Sequence, residues 1–144
     1  MIRLYAAATV LAWPLIRLIM WRRVKQGKED GQRIGERFGR ISTPRPTGPI
    51  IWVHAASVGE TVSILSLVER LLADFQLANV LITTVTRSSA EILEKNLSGK
   101  LFHQFMPIDR PGEINSFLDH WKPDVAIWVE SELWPNLLTA VQGR

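Results

Sequence analysis

The sequence predicts an α/β fold with a Rossmann-like, mostly parallel β-sheet, preceded by an apolar N-terminal helix. From Pro49 onward, short apolar runs rich in β-branched residues alternate with longer amphipathic stretches. This alternation is typical of repeated βαβ units. A separate apolar stretch occupies the start of the chain. With 144 residues, 47% of them hydrophobic, the chain has room for one domain with a substantial core.

The composition excludes several kinds of site. The chain has no cysteine, which rules out a disulfide scaffold, a thiolate metal site and a cysteine nucleophile. No spacing of histidine and acidic residues indicates a metal site, and no glycine-rich phosphate-binding motif occurs. We therefore expect neither a metal nor a bound cofactor.

Residues 1–24 are predicted to form a membrane anchor helix. Residues 4–21 are apolar except at Thr9, Pro14 and Arg17, a length close to the roughly 20 residues that a span needs. Pro14 would kink such a helix. Whether the anchor spans the membrane or lies in one leaflet stays open, and the alternative is an amphipathic helix packed on the domain itself.

Charge is divided unevenly along the chain. Up to Pro49 there are ten basic and three acidic residues, and after it there are seven and eleven. A basic leader on a mildly acidic domain predicts contact with an anionic surface. Membrane lipid is favoured over nucleic acid because basic residues follow the apolar stretch directly, which also predicts a cytoplasmic domain: Arg22, Arg23, Lys25 and Lys28.

The elements are predicted in the following order. Residues 25–48 form a linker with a short helix at residues 32–38, stopped by Gly39. Residues 49–144 form the α/β domain. Strands are expected at residues 50–53, 80–85, 101–105 and 125–129, and helices at 60–75, 88–96, 112–121 and 133–141. The first and last strands are expected to be buried. Apolar residues in the first of these helices predict one buried stripe: Val62, Leu65, Val68, Leu71, Leu72 and Phe75.

The turn after the first predicted strand carries Ser57, Val58, Gly59 and Glu60. Serine followed three residues later by glutamate is a capping box. A carboxylate at a helix N-terminus, at the sheet edge where ligands bind, is also suited to general-base catalysis. Gly59 leaves space for a ligand to approach the backbone. The spacing alone leaves capping and catalysis both open.

Hydroxyl groups mark the end of the second predicted strand, at Thr84 and Thr86. Such groups suit a sugar or phosphate ligand, and they are equally common in caps and turns. Residues 88–91 offer a second capping box. Function and local structure remain alternatives here.

Two further carboxylates, Glu130 and Glu132, follow the last predicted strand, and Trp134 and Pro135 come directly after them. Proline is tolerated in a helix only within the first turn. Because parallel strands end at a common edge, these two carboxylates and Glu60 are expected to converge.

With these motifs the chain resembles the N-terminal half of the 3-deoxy-D-manno-octulosonic acid (Kdo) transferases of lipopolysaccharide synthesis. The resemblance rests on five segments in the family's order: residues 35–39, 52–60, 83–86, 106–109 and 130–136. The chain departs from the family pattern in two places. Serine stands at position 89 in place of a glycine, and residues 103–106 lack the family's tyrosine-rich strand.

The resemblance implies a GT-B glycosyltransferase with two Rossmann-like domains. Residues 49–144 would be the acceptor-binding domain, and the C-terminal donor-binding domain would be absent. The implied reaction transfers Kdo from CMP-Kdo to the lipid A precursor (lipid IVA), with inversion and without a metal. Glu60 would be the catalytic base, and the acceptor would be bound by the other motif residues: Ser57, Val58, Gly59, Thr84, Thr86, Glu130 and Glu132.

The implied location is the cytoplasmic face of the inner membrane of a Gram-negative bacterium, with anionic membrane lipid as a further partner. An alternative function is a membrane-anchored, catalytically silent lipid- or sugar-binding module, or a truncated fragment of the enzyme.

Overall fold

The computed structural model describes residues 2–96, 98–129 and 134–143. Contacts divide the chain into two units. The helical unit comprises Met1–Ser42, Pro107–His120 and Leu133–Arg144, and the sheet unit comprises Thr43–Met106 and Trp121–Glu132. The elements follow in the order α1 (Ile2–Leu11), α2 (Trp13–Lys25), α3 (Ile34–Arg37), β1 (Ile50–His54), α4 (Val58–Ser63), α5 (Leu65–Asp74), β2 (Asn79–Thr84), α6 (Arg87–Glu94), β3 (Leu101–Phe105), α7 (Pro111–Trp121), β4 (Val125–Trp128) and α8 (Pro135–Gln142).

The sheet unit contains a four-stranded parallel sheet in the order β3-β2-β1-β4. The predicted α/β fold with a parallel sheet and preceding N-terminal helices is confirmed. The chain builds β1, β2 and β3 outward in one direction and then places β4 on the other side of β1. The topological switch point therefore lies between β1 and β4, where parallel α/β sheets bind ligands.

One face of the sheet packs on an apolar core. The strands contribute alternate residues, because side chains on a strand point to opposite faces in turn. Helices α5 and α6 and three residues outside the regular elements supply the rest. The buried members are Ile51, Val53, Ala55, Ile64, Val68, Ala78, Val80, Ile82, Leu93 and Leu101.

The predicted helix 60–75 is interrupted at Ile64, which ends α4 and begins α5. Ile64 is 3% exposed and occupies the core, whereas Val62 and Phe75 are 53% and 55% exposed. The prediction of one stripe that includes Val62 and Phe75 is therefore wrong. The buried stripe begins at Ile64 and continues through Val68 four residues later, the spacing of one helix face.

Strand β4 is partly exposed, contrary to the prediction that it is buried. It lies at the edge of the sheet, and Val125 is 51% exposed. Val125 and Ile127 line a groove of about 520 Å³ together with Ile51, Leu71 and Phe75. The β-branched residues of β4, from which burial was predicted, line this apolar groove instead.

In the helical unit, α1 and α2 are bent by 60° relative to each other. Pro14 lies in the first turn of α2, so the break falls just before the proline. Taken singly, neither helix is long and apolar enough to cross a bilayer. The two together satisfy the length and composition of a broken span. Many of their large apolar residues are exposed: Leu4, Val10, Leu11, Leu15, Leu18, Ile19 and Trp21.

Asp109 holds the start of α8 within the helical unit. Its carboxylate accepts hydrogen bonds from the backbone amides of Asn136 (3.2 Å) and Leu137 (2.9 Å). Tyr5 of α1 also lies near this carboxylate. These contacts satisfy the free amides of the first helical turn, which begins with Pro135. Asp109, in one of the segments that resemble the Kdo transferases, thus acts as a helix cap supplied from a distant part of the chain.

The segment 35–40 ends α3 in a Schellman motif. The amide of Gly39 donates to the carbonyl of Glu36 (3.1 Å), and the amide of Arg40 donates to the carbonyl of Gly35 (2.9 Å). Gly39 adopts the left-handed conformation with φ +69°, as the predicted helix stop requires. A Cβ at Gly39 would lie 3.1 Å from the Cα of Glu113, so both the conformation and the packing require glycine.

Replacing Gly39 with alanine should destabilise the chain more than the same change at Gly27. Both residues have φ +69°, but a Cβ at Gly27 meets open space. We expect Gly27→Ala to cost about 1 kcal/mol, the left-handed penalty alone, and Gly39→Ala to cost at least about 1 kcal/mol more because of overpacking. Denaturant unfolding followed by tryptophan fluorescence measures the difference. Equal losses would contradict the assigned close approach to α7.

Candidate active site

The turn from β1 to α4 lies at the switch point of the sheet. Ser57 is the N-cap of α4, with extended backbone angles, and its hydroxyl accepts from the amide of Glu60 at 3.3 Å. The hydroxyl in turn donates to Glu60 Oε1 at 2.7 Å. The predicted capping box is therefore present, with both of its side chains engaged.

The Glu60 carboxylate is held from two sides. Besides the Ser57 hydroxyl at Oε1, the backbone amide of Ala56 donates to Oε2 at 2.7 Å. Partial burial raises the pKa of Glu60, but hydrogen bonds from Ser57 and the Ala56 amide, together with the charge of His54, outweigh burial and lower the pKa below the ordinary value. Glu60 is consequently ionised at neutral pH.

The surroundings of this carboxylate are open to a ligand. Ser57, Val58 and Gly59 are exposed, and a Cβ built on Gly59 would meet no atom within 4 Å. The Glu60 oxygens retain acceptor capacity, because an ionised carboxylate has about four lone-pair sites. The turn thus presents an ionised hydrogen-bond acceptor beside unobstructed backbone. Such an arrangement can bind a hydroxyl group and accept its proton.

The two predicted threonines occupy different environments. Thr84 is fully buried, and its hydroxyl pairs with Nε2 of His103 at 2.9 Å, so the structure does not bring it to the open edge. Thr86 is exposed and is the N-cap of α6. Its hydroxyl accepts from the amide of Ser89 and contacts the Ser89 hydroxyl at 2.6 Å. Acceptor binding by Thr84 and Thr86 stays a prediction.

The prediction of a second capping box at residues 88–91 is wrong. Helix α6 begins at Arg87, so the cap is Thr86 and its partner is Ser89. Thr86 lies two residues after the end of β2, and its hydroxyl caps α6 directly.

Glu130 and Glu132 lie outside the described residues, so their convergence with Glu60 stays a prediction. The last described residue of this segment, Val129, donates its amide to the carbonyl of His54 at 3.0 Å. The described chain is thus still beside the end of β1 at Val129. In residues 2–96, 98–129 and 134–143, no three His, Asp or Glu side chains are grouped closely enough to hold a metal ion.

Sequence reasoning missed a polar cluster beneath the site, centred on Thr83. The Thr83 hydroxyl accepts from Trp52 Nε1 at 2.8 Å and pairs with His54 Nδ1 at 2.9 Å. Trp52 also packs edge-on against Trp128, with ring centroids 4.9 Å apart. Thr83 and His54 are directly opposite in the β1–β2 register. The available signal was two polar residues at the ends of adjacent parallel strands.

Comparison with known proteins assigns the family. Residues 32–144 match the family model described as 3-deoxy-D-manno-octulosonic-acid transferase (kdotransferase). A probable mitochondrial 3-deoxy-D-manno-octulosonic acid transferase of Arabidopsis thaliana is 43% identical over 142 residues, which cover 98% of this chain and 32% of the relative. The 3-deoxy-D-manno-octulosonic acid transferases of Rickettsia bellii and Haemophilus influenzae are 41% and 33% identical, over 96% and 93% of this chain and 33% and 32% of the relatives.

The chain belongs to the Kdo transferase family. This confirms the resemblance deduced from the five segments. The chain spans about a third of the length of the curated relatives it matches. Its parallel α/β sheet agrees with the Rossmann-like fold expected for the N-terminal half of such an enzyme.

Glu60→Gln should lower stability at neutral pH and have a smaller effect in acid. A carboxylate whose folded-state pKa is lowered stabilises the fold above its ordinary pKa of about 4.3, and that contribution is lost as pH falls through the lowered folded value. We expect the melting temperatures of wild type and Glu60→Gln to differ most at pH 7 and to converge as pH falls through the lowered pKa of Glu60. Thermal unfolding at several pH values measures this.

Glu69→Gln is the matched control, since it removes one exposed carboxylate from α5. Two results would contradict the capping role of the Glu60 carboxylate. One is a difference in melting temperature between wild type and Glu60→Gln that stays constant across this pH range, and the other is the same pH dependence in Glu69→Gln.

Proposed function

We propose that this chain supplies the acceptor-binding part of an enzyme that transfers Kdo from CMP-Kdo to the lipid A precursor, lipid IVA. The observation that carries the proposal is Glu60, an ionised carboxylate held at the switch point of the sheet beside exposed backbone. Family membership gives the reaction class, and this carboxylate gives a residue to perform it.

In the proposed step, Glu60 is the general base. It takes the proton of an acceptor hydroxyl while that oxygen forms a bond to the anomeric carbon of Kdo. The bond from this carbon to the phosphate oxygen of CMP breaks, and CMP leaves with the bonding electrons. Attack opposite the leaving group inverts the anomeric centre, and no metal takes part. We assign binding of CMP-Kdo mainly to a second, donor-binding domain of the GT-B type.

The hydrogen bonds that order Glu60 also set its strength as a base. Two donors hold the carboxylate in position, and together with the charge of His54 they lower its pKa. An acceptor hydroxyl that took the place of the Ser57 hydroxyl at Oε1 would donate to the carboxylate in the same way. Its proton would then lie against the oxygen that accepts it in the proposed step.

Glu60→Gln should abolish most of the transferase activity in the complete enzyme. Joining this chain to the remaining two thirds of the Rickettsia bellii relative provides such an enzyme, in which transfer from CMP-Kdo to lipid IVA is measured. General-base catalysis is worth about 10² to 10⁴-fold, so we expect a fall in kcat of that size. Glu69→Gln should retain activity.

Full activity of Glu60→Gln would overturn the assignment of the base. An inactive chimera with wild-type Glu60 that still bound lipid IVA would favour the alternative, a catalytically silent binding module.

We also propose that α1 and α2 attach the protein to the cytoplasmic face of the bacterial inner membrane. Large exposed apolar residues, such as Leu11 at 81% and Leu15 at 59%, lie along the bent pair, and such surfaces mark contacts with membranes or partners. Basic residues end α2. Arg23 is partly committed to Glu29 at 2.9 Å, which leaves Arg22, Lys25 and Lys28 exposed for anionic lipid.

Leu11→Glu and Leu15→Glu should each weaken vesicle binding at least about tenfold, because burial of a leucine side chain contributes about 1.5 kcal/mol or more. Cosedimentation of the full chain with phosphatidylglycerol-containing vesicles measures this. Leu77→Glu is the control, since Leu77 is 87% exposed in the sheet unit. Equal weakening by Leu77→Glu would place the membrane-binding surface elsewhere.

A further inference from the structure

A cavity of about 590 Å³ belongs entirely to the helical unit. Its lining includes two arginines, Arg17 from α2 and Arg40 from the segment after α3, together with the aromatic rings of Trp13 and Phe38. Both arginine side chains are exposed, so a ligand can reach them. The lining thus combines positive charge with apolar surface.

The backbone brings Arg40 to this place. The Schellman motif after α3 returns the chain so that the Arg40 amide bonds to the Gly35 carbonyl. Gly35 has no side chain, and the aliphatic stem of Arg40 lies over it, 3.5 Å from where a Cβ would be. The position of Arg40 at the cavity therefore follows from the two glycines of the segment 35–39.

The positive charge of this cavity is not neutralised by the protein. Glu113 also lines it, but both of its oxygens already accept from Arg110 Nη1, at 2.7 and 3.0 Å. Glu36 is likewise paired with Arg33 at 2.8 Å. Throughout the described part of the chain, no carboxylate oxygen lies within 4.0 Å of the guanidinium of Arg17 or Arg40.

The two aromatic rings of the cavity contact each other and a third side chain. Trp13 packs edge-on against Phe38 with ring centroids 5.4 Å apart. The guanidinium of Arg110 lies 4.4 Å from the centroid of the Trp13 ring, a cation–π distance. Trp13 is also the first residue of α2, so the wall of the cavity and the exposed apolar helix pair are continuous along the chain.

We propose that this cavity binds the phosphate monoester group of an amphiphilic lipid. Two guanidinium groups offer a charge of +2 and paired N–H donors, which match a phosphate monoester that carries close to two negative charges and three acceptor oxygens. A carboxylate or a phosphodiester carries only one negative charge. The aromatic wall receives the adjoining apolar part of the ligand. The proposal does not depend on Glu60 or on transfer of Kdo.

Calorimetric titration of the full chain in a non-ionic detergent tests this. Dihexanoyl phosphatidic acid, a monoester with short chains, should bind at least tenfold more tightly than dihexanoyl phosphatidylglycerol, a diester. Inorganic phosphate should bind more weakly than phosphatidic acid, and dihexanoyl phosphatidylcholine should not bind measurably. The protein is already in detergent when these lipids are added, so the titration contains no vesicles. A failure of the chain to bind vesicles would therefore not affect this result.

Arg17→Gln and Arg40→Gln should each weaken binding of phosphatidic acid tenfold or more. Arg3→Gln is the matched control, since it removes an exposed positive charge from α1 of the same unit and should change affinity less than twofold. Arg40→Lys keeps the positive charge but lacks the planar guanidinium group. Its affinity for phosphatidic acid should lie between those of wild type and Arg40→Gln. Unchanged near-ultraviolet circular dichroism verifies that each variant is folded.

Several results would overturn the proposal. Absence of phosphatidic acid binding would do so, as would an equal loss in Arg3→Gln, which would indicate general attraction to the basic surface. Equal affinity for inorganic phosphate and phosphatidic acid would identify a free-phosphate site and reject a lipid ligand.

Discussion

The geometry of the candidate site depends on one interaction, the closure of the β1–α4 turn by the Glu60 carboxylate. The Ser57 hydroxyl and the Ala56 amide each donate to a different carboxylate oxygen. The side chain is therefore held at the edge of the sheet while remaining partly exposed. Capping and the proposed catalysis use the same atoms. The capping box that sequence reasoning offered as the structural alternative is the device that orients the proposed base.

The same closure links the site to the centre of the sheet. β1 is paired on both sides, with β2 and β4. At its end, His54 pairs with Thr83 and its charge contributes to the lowered pKa of Glu60. Thr83 also anchors Trp52, which packs on Trp128 of the neighbouring strand. A buried polar cluster of this kind rigidifies a core only when its groups are hydrogen-bonded to one another.

The helical unit shows that residues in recognisable motifs need not touch a ligand. Asp109 caps α8, and Gly39 permits both a left-handed turn and close packing on α7. Arg37 forms a buried ion pair with Glu29 at 3.0 Å. These residues fix the backbone from which Arg40 and Trp13 reach the proposed phosphate cavity. Along α2, the cavity-lining Arg17 lies between the exposed Leu15 and Leu18, so the proposed membrane-binding surface and the proposed phosphate cavity share one helix.

Much of the fold follows from local sequence. β-Branched runs, amphipathic spacing and turn residues correctly predicted four strands, the α/β alternation and the stop at Gly39, because each depends on neighbours within about ten residues. The Ser57–Glu60 cap was also predictable, since both partners lie in one turn. The predicted cap of α6 was wrong. Two nearby hydroxyl residues offered competing helix starts in the sequence, and the structure uses Thr86.

The sequence by itself determined the class of fold, the family and the Glu60 turn. Only the tertiary structure decided the strand order, which makes β4 an exposed edge and puts the switch point beside Glu60. It alone showed that Thr84 faces His103, that Ile64 replaces Val62 in the core, and that Arg17 and Arg40 share a cavity. The physical reason is that pairing between strands and charge balance between distant segments depend on contacts across long sequence separations, which local periodicity does not encode.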